Sequence, residues 1–441
     1  MDSKLLFEKI NNNTACVGVI GLGYVGLPLA LSFSKKFHTI GFDVNEKCIN
    51  LLKSGKSYIL DIKDVDLQEY LNNSFNPTAD PQQLKHCDFL IICVPTPLTE
   101  NMEPDLSYIK SACTTISNIL TAGQFVILES TTYPGTTDEI VLNILKTSGL
   151  QVEKDFGLAY SPERIDPGNK NFNVENTPKV VGGINEECTE LAVALYSSII
   201  QKVVKVTDCR TAESVKIVEN IFRNVNIALV NELSLIFDKM GIDTWEVINA
   251  ASSKPYGFMP FYPGPGVGGH CIPLDPFYMS YKAKKYGIIP RFIETSGEIN
   301  NFMRIHTINL IEKGLQKVNK NIYGSNIAVM GLAYKKNIND TRESPSAKII
   351  EELINLGAKI KVFDPFADFI TTKEGSFFSE KCIEDTLKES DCSVFITDHD
   401  LFNELDLRKY LYLMKSPIII DCKNLFNELD GAMYLGIGKG D

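Results

Sequence analysis

The sequence lacks any apolar run approaching the ~20 residues that a membrane-spanning helix requires; its longer ones, such as Phe89–Val94, are far shorter. Lys4 and Lys9 lie near the start, but no apolar stretch with a small-residue cleavage site follows them, so no secretory leader is expected. Cysteines at metal-clip or thioredoxin spacing are also missing. The 11 present are an odd number, scattered singly along the chain, which reads as buried thiols in a reducing compartment and not as a disulfide framework. Excess basic charge is absent too. The formal net charge of −11 works against nonspecific attraction to nucleic acid or an anionic membrane. Solenoid repeats and low-complexity tracts are not found. These absences predict a cytoplasmic globular protein that has neither nucleic acid nor membrane as partner and holds no metal. An anionic ligand would have to be met locally, by helix N-termini and a few placed Lys or Arg.

What is present is ordinary globular composition over 441 residues, 44% hydrophobic and 22% charged, too long for a single core. The order of elements contains a coarse internal echo. Cys16–Ile20 reads as a strand running into a glycine-rich turn, and Ile327–Met330 before Gly331 reads the same way. Each is followed by a helical segment and a second strand ending in Asp: Ile40–Phe42 before Asp43, and Ile360–Phe363 before Asp364. Further short apolar strands fall at Phe89–Val94, Phe125–Leu128, Ser393–Thr397 and Ile418–Ile420. Strands alternating with helices predict parallel sheets. The expected fold class is α/β, with two Rossmann-like doubly wound domains joined by a long central helix and a helical middle domain. The boundaries expected are 1–207, 208–316 and 317–441.

The central helix is read from Val215, Val218, Phe222, Val225, Leu229, Leu233, Ile236 and Met240, which recur at steps of three and four before Gly241. About 30 residues would make a helix of roughly 45 Å, long enough to bridge two domains. Ile221 and Leu235 lie outside that stripe. Burial on more than one side is therefore expected, with a homodimer contact as its natural source.

Gly21-Leu22-Gly23-Tyr24-Val25-Gly26 follows the first strand directly and opens the apolar segment Leu27–Phe33. Gly21 permits the tight turn, Gly23 lets backbone approach a pyrophosphate, and Gly26 lets helix and strand pack closely. The helix N-terminus supplies free N–H groups and partial positive charge. The motif alone is weak; the strand–turn–helix context and Asp43 about twenty residues on make it a dinucleotide site. A carboxylate at Asp43 accepts from both ribose hydroxyls and repels a 2′-phosphate, which selects NAD over NADP. The second echo, Gly331-Leu332-Ala333-Tyr334-Lys335-Lys336, lacks the full glycine signature. Its lysines, with Arg342, suit another nucleotide or phosphate, or else a solvated basic loop.

The most unusual stretch is Pro263–Pro276, where Gly264, Gly266, Gly268 and Gly269 precede Cys271. Clustered glycines leave backbone N–H groups unshielded. A thiol there is a nucleophile only beside a cation or base; otherwise it is a packing residue. Lys216 and Asn220, four apart on the central helix, share a face. They suit an alkoxide or a tetrahedral oxyanion, although a lysine on a helix is more often simply solvated. His270 receives no catalytic or metal role.

Gly21–Gly26, Val94-Pro95-Thr96-Pro97, Ser130-Thr131-Thr132, Ser161-Pro162-Glu163-Arg164, Lys216 with Asn220, Gly268-Gly269-His270-Cys271 with Asp275, and Asp340-Thr341-Arg342-Glu343-Ser344 occur in this order. Together they resemble the motifs of the UDP-glucose/GDP-mannose dehydrogenase family, over nearly the whole chain. Within it, the run Lys254–Gly266 is most similar to that of UDP-N-acetylglucosamine 6-dehydrogenases, with UDP-N-acetylmannosamine and UDP-N-acetylgalactosamine enzymes close by.

The resemblance implies a four-electron oxidation of a UDP-sugar at C6, using NAD twice. Cys271 would add to the aldehyde as a thiohemiacetal and then carry a thioester. Lys216 and Asn220 would hold oxygen charge, Asp275 would activate or orient water, and Glu163 would join the hydrolysis. Thr96, Ser130, Thr131 and Arg342 would line the cofactor with Gly21 to Gly26 and Asp43. Arg164, Tyr262, Gly268 and Lys335, beside Glu163, Lys216 and Asn220, would contact the sugar nucleotide. One departure bears on substrate: UDP-glucose enzymes carry a second acid four residues after the position of Glu163, and here Pro167 stands there. Two rivals remain. A two-electron hydroxyacid dehydrogenase needs no cysteine and makes one NADH per substrate; a silent NAD-binding sensor would not need Lys216, Asn220, Cys271 and Asp275 together.

Overall fold

The computed structural model describes the whole chain except residues 60, 61, 72, 100–102, 166–168, 170, 270, 427, 428 and 441. Pro167 and His270 lie outside the described residues. By internal contacts the chain forms two units, Met1–Glu219 with Phe277–Ile288, and Asn220–Pro276 with Ile289–Asp441.

In the first unit, most strands are apolar runs of four or five residues buried on both faces, as expected of a parallel sheet covered by helices, and the edge strand Val203–Lys205 is shorter and exposed. They are β1 (Cys16–Ile20), β2 (His38–Phe42), β3 (Phe75–Thr78), β4 (Phe89–Ile92), β5 (Phe125–Leu128), β6 (Gly157–Tyr160), β7 (Lys179–Gly183) and β8 (Val203–Lys205). Their order is β3-β2-β1-β4-β5-β6-β7-β8. The first six are parallel and reproduce the Rossmann order, whose ligand crevice opens at the carboxyl ends of β1 and β4. β7 runs antiparallel to β6, and β8 extends the sheet parallel to β7. Leu27, Phe33, Ile91 and Ile127 are among the fully buried side chains between sheet and helices.

The second unit holds β9 (Asn326–Met330), β10 (Lys359–Phe363), β13 (Cys392–Phe395), β14 (Ile418–Asp421) and β15 (Met433–Gly436), in the all-parallel order β10-β9-β13-β14-β15. A hairpin, β11 (Phe369–Thr372) with β12 (Gly375–Phe378), intervenes in sequence. The internal echo is real at backbone level. Gly21 and Gly331 have φ of 90° and 92°, and each donates its N–H at 2.8 Å to the last carbonyl of the neighbouring strand, Phe42 and Phe363. Leu22 and Leu332 then donate to Asp43 and Asp364 at 2.9 and 2.6 Å.

Between the sheets in sequence come helices Cys209–Met240, Thr244–Ala251, Asp275–Lys285 and Arg291–Lys317. The long helix runs from the first unit into the second at Glu219–Asn220. Val218, Phe222, Leu229, Ile236 and Met240, the apolar stripe, are 56%, 49%, 50%, 47% and 61% exposed. The buried face is largely polar: Asn224, Asn231, Ser234 and Asp238. An amide ladder with helix Arg291–Lys317 makes that burial tolerable. Asn224 Nδ2 donates to Ser296 Oγ at 2.8 Å, Asn300 Nδ2 to Asn224 Oδ1 at 2.9 Å, and Asn231 Nδ2 to Asn300 Oδ1 at 2.9 Å. Paired amides escape the penalty of unsatisfied burial. No helix among the described residues is long and apolar enough to cross a membrane.

Candidate active site

The turn after β1 assigns its three glycines distinct duties. A Cβ on Gly21 would lie 2.7 Å from the Cys93 carbonyl oxygen, and one on Gly26 would collide with the Gly21 carbonyl at 1.8 Å. Both glycines are therefore fixed by packing. Gly23 has nothing within 4 Å, which is the open approach a pyrophosphate needs. Asp43 accepts from Leu22 N–H and, through Oδ1, from Asn45 N–H at 2.9 Å, and is half-buried. Tyr58 donates to the Leu22 carbonyl at 2.6 Å and steadies the turn from the other side. These residues fit a dinucleotide.

Beside the turn, Ser130 Oγ donates to the Val94 carbonyl at 2.8 Å, tying the β5 loop to the β4 loop that carries Thr96. The Thr96 carbonyl accepts the hydroxyl of buried Tyr278. The Ser130–Thr137 loop, with half-buried Thr131, is fastened to the long helix by Glu213. Its carboxylate accepts Gly135 N–H at 2.6 Å, Thr137 N–H at 2.8 Å and Thr137 Oγ1 at 2.7 Å. Burial pushes Glu213 up to about 7 against the pull of these three donors. Lys216, one turn further along, is 8% exposed. Glu213 was missed by the sequence reading, because its partners are about 75 residues away.

Glu163 is built into a charge network that was also missed. Its Oε1 accepts the N–H groups of Arg164 and Ile165 at 2.7 and 2.5 Å, and its Oε2 lies 3.4 Å from Lys179 Nζ. Lys179 bonds Glu129 Oε2 at 2.9 Å, and Tyr196 donates to Glu129 Oε1. Burial alone would lower the Lys179 ammonium, but Glu129 and Glu163 outweigh it and hold the group above its usual value. The available signal was a charge set against apolar strand residues: Lys179 heads Val180-Val181, and Glu129 follows Phe125–Leu128. Arg164 donates through Nε and Nη2 to Glu219 at 3.2 and 2.5 Å, and through Nη1 to the Pro178 carbonyl at 2.6 Å.

The second unit contains the other half of the expected catalytic set. Gly264 N–H donates to Asn231 Oδ1 at 2.9 Å, so the amide ladder anchors the start of the glycine loop. A Cβ on Gly268 would lie 2.8 Å from Tyr334 Cβ and from Pro345 Cδ. Glycine there lets the loop press directly on the segment that carries Lys335 and Arg342. Cys271 is exposed. Asp275 opens helix Asp275–Lys285, its N–H reaching back to the Cys271 carbonyl at 2.9 Å. Asn220 Nδ2 donates to Asp275 Oδ2 at 2.5 Å. Cys271, Asp275 and Asn220 are thus brought together, the last two buried.

Arg342 pairs with Asp340 through Nε and Nη2 at 2.8 and 2.7 Å, and Lys335 is half-buried on the same loop. The turn after β9 differs from its counterpart at the acid. Asp364 is 5% exposed and accepts the N–H groups of Leu332, Ala333, Phe366 and Ala367. His399 Nε2 donates to it at 3.0 Å, the tautomer following from Asn337 N–H donating to Nδ1. Burial alone would raise Asp364; the His399 hydrogen bond, with the amides, holds it below the usual carboxylate range. With every acceptor occupied, Asp364 has none left for ribose hydroxyls, and this domain suits a nucleotide bound in another way.

A Rossmann sheet with an open glycine turn and an acid at the end of its second strand, a second α/β domain with a matching turn, and an exposed cysteine whose backbone meets the Asp of an Asn–Asp pair are the features of an NAD-dependent oxidoreductase acting on a nucleotide-linked substrate. Comparison with known proteins sharpens this. The chain matches the NAD binding domain of the UDP-glucose/GDP-mannose dehydrogenase family over residues 15–200, its central domain over 210–302 and its UDP binding domain over 328–428. It is 41% identical over 352 residues to a UDP-N-acetyl-D-glucosamine 6-dehydrogenase of Pseudomonas aeruginosa, covering 79% of this chain and 82% of the relative. It is 35% identical over 430 residues to a UDP-N-acetyl-D-mannosamine dehydrogenase of Pyrococcus horikoshii, covering 96% and 99%. A solved structure of a UDP-D-ManNAc dehydrogenase from Pyrococcus horikoshii superposes with a TM-score of 0.90 at 34% identity, covering 97% of this chain and 100% of that one. The chain belongs to the UDP-glucose/GDP-mannose dehydrogenase family and is an NAD-dependent UDP-sugar dehydrogenase.

Proposed function

We propose that the enzyme oxidises C6 of UDP-N-acetyl-D-glucosamine to the carboxylate in two successive two-electron stages. The observation that carries the reading is the pairing of Asn220 with Asp275, 2.5 Å apart, one turn beyond the Cys271 carbonyl that Asp275 N–H engages. Support for the sugar comes from relatives named UDP-N-acetyl-D-glucosamine 6-dehydrogenase at 41% and 39% identity and from the run Lys254–Gly266.

Bound NAD supplies the hydride acceptor for each stage. Lys216 and Asn220 stabilise the oxyanion on C6 as charge develops. Cys271 Sγ bonds to the aldehyde carbon, giving a tetrahedral thiohemiacetal, because a planar aldehyde is a poor hydride donor. After the second oxidation the C6–S bond is a thioester. Asp275, with Glu163, orients water and takes its proton; the C–O bond forms, the C–S bond breaks, and Cys271 recovers its thiol. Tyr262, Gly268 and Lys335 bind the sugar nucleotide. We also read the enzyme as a homodimer, because Phe222, Leu229, Ile236 and Met240 form an exposed apolar row on one helix, and as cytoplasmic, because its 11 cysteines form no disulfide.

An NADH-release screen over UDP-glucose and the UDP-N-acetylhexosamines tests the proposal. The expected result is two NADH per sugar, with the highest kcat/KM for UDP-N-acetylglucosamine. A preference for UDP-N-acetylmannosamine would support the second reading, which the Pyrococcus relative favours. One NADH per sugar would remove the role of Cys271.

A further inference from the structure

Tyr262 is clamped from two directions. Its ring stacks on Trp245, with centroids 5.3 Å and planes 16° apart, and its hydroxyl donates to Asn249 Oδ1 at 2.8 Å. Trp245 and Asn249 are four apart on helix Thr244–Ala251 and so share a face. Asp243 caps that helix, accepting Trp245 N–H at 2.8 Å and Glu246 N–H at 3.1 Å.

Trp245 is fixed in turn by the segment after β15. Its indole Nε1–H donates to the Ile437 carbonyl at 2.8 Å. Thr244 N–H donates to the Gly438 carbonyl at 2.8 Å, Gly440 N–H to Asp238 Oδ1 at 3.0 Å, and Lys439 pairs with Asp243 at 3.2 Å. Gly438 has φ of 72°, and a Cβ there would lie 2.9 Å from Thr244 Cβ. The strap therefore fits against the helix only with glycine at that position. Trp245 is 8% exposed, while Tyr262 keeps 41% of its surface open.

We propose that Trp245 is a positioning residue for the UDP-sugar: backed by the Ile437–Gly440 strap, it holds the Tyr262 ring in the orientation that receives the sugar nucleotide. This rests on Tyr262 being a substrate contact and goes beyond it by naming what orients the ring. A side chain already ordered loses less entropy when ligand arrives, so the effect belongs to binding and not to the chemical step.

Trp245 is the only tryptophan in the chain, so its emission reports on the stack. Titrating the wild-type enzyme with UDP-N-acetylglucosamine should change tryptophan emission saturably, with the midpoint that calorimetry gives for the same ligand. Trp245→Leu should raise KM for the UDP-sugar roughly three- to tenfold, leaving kcat and the KM for NAD unchanged, and Trp245→Phe should restore most of the loss by keeping a stack. Gly438→Val should raise the same KM by displacing the strap. Calorimetric binding with silent emission, an unaltered KM in Trp245→Leu, or a joint fall of kcat and NAD affinity would overturn the proposal while leaving the proposed activity standing. No binding and no NADH from any UDP-sugar would overturn both.

Discussion

Asn220 and Asp275, 55 positions apart, share a 2.5 Å hydrogen bond. The amide donor holds the buried carboxylate in one orientation. Asp275→Asn should therefore slow thioester hydrolysis, lowering kcat by roughly 10²–10⁴ while an acyl adduct builds up on Cys271. Intact-mass spectrometry of enzyme quenched during turnover measures that adduct. Cys271→Ser should form no adduct and no uronic acid; wild-type turnover in that variant would remove the thiol from the mechanism.

Lys216 is buried on the same helix as Asn220, one turn earlier. In the proposed mechanism Lys216 meets oxygen charge that is absent from the bound UDP-sugar, so Lys216→Ala should lower kcat by about 10²–10³ and change KM far less. Steady-state kinetics in both substrates decides this; a rise in KM alone would make Lys216 a binding residue.

The glycines of the first turn should separate in mutagenesis. Gly26→Ala forces a Cβ into the Gly21 carbonyl and should lower Tm. Gly23→Ala meets no protein atom within 4 Å, so it should leave Tm near wild type and raise KM for NAD. The Asp43 carboxylate predicts kcat/KM for NAD well above that for NADP, and Asp43→Ser should narrow the ratio.

Glu213 makes stability depend on pH. Its folded value lies near 7, so the unfolded chain ionises first. The stabilisation is full below about pH 4.5 and is lost as pH rises through 7, a difference of about 3 kcal/mol. Thermal melts from pH 5 to 8 should show Tm falling with rising pH in the wild type and a flatter profile in Glu213→Gln.

Much of the frame was legible in local sequence. β1 and β5 coincide with the apolar runs Cys16–Ile20 and Phe125–Leu128, and the Gly21 and Gly331 turns share one hydrogen-bond plan, because strand and turn signals are carried by neighbouring residues. The long helix was legible in extent, while the polar face that packs inward within the chain was not. Polar residues at 213, 216, 220, 224, 231, 234 and 238 repeat at the same steps as the apolar stripe, and only the partners at Ser296 and Asn300 decide which face turns inward. Glu213, Lys179 and Glu129 were hidden for a related reason. Each acquires its meaning from residues dozens of positions away. The glycine loop and Cys271 stood out early because backbone chemistry, not distant packing, marks them.

Phe277–Ile288 returns to the first unit after the chain has already entered the second. There Tyr278 donates to the Thr96 carbonyl, Lys282 bonds Glu139 at 2.7 Å, and Tyr281 lies against Tyr133, 5.4 Å between ring centres. A gene fragment ending at residue 207 would omit all three side chains, and the loops after β4 and β5 would lose their outer wall. The cofactor half of this enzyme is thus woven from two strips of sequence, and no single cut releases it whole.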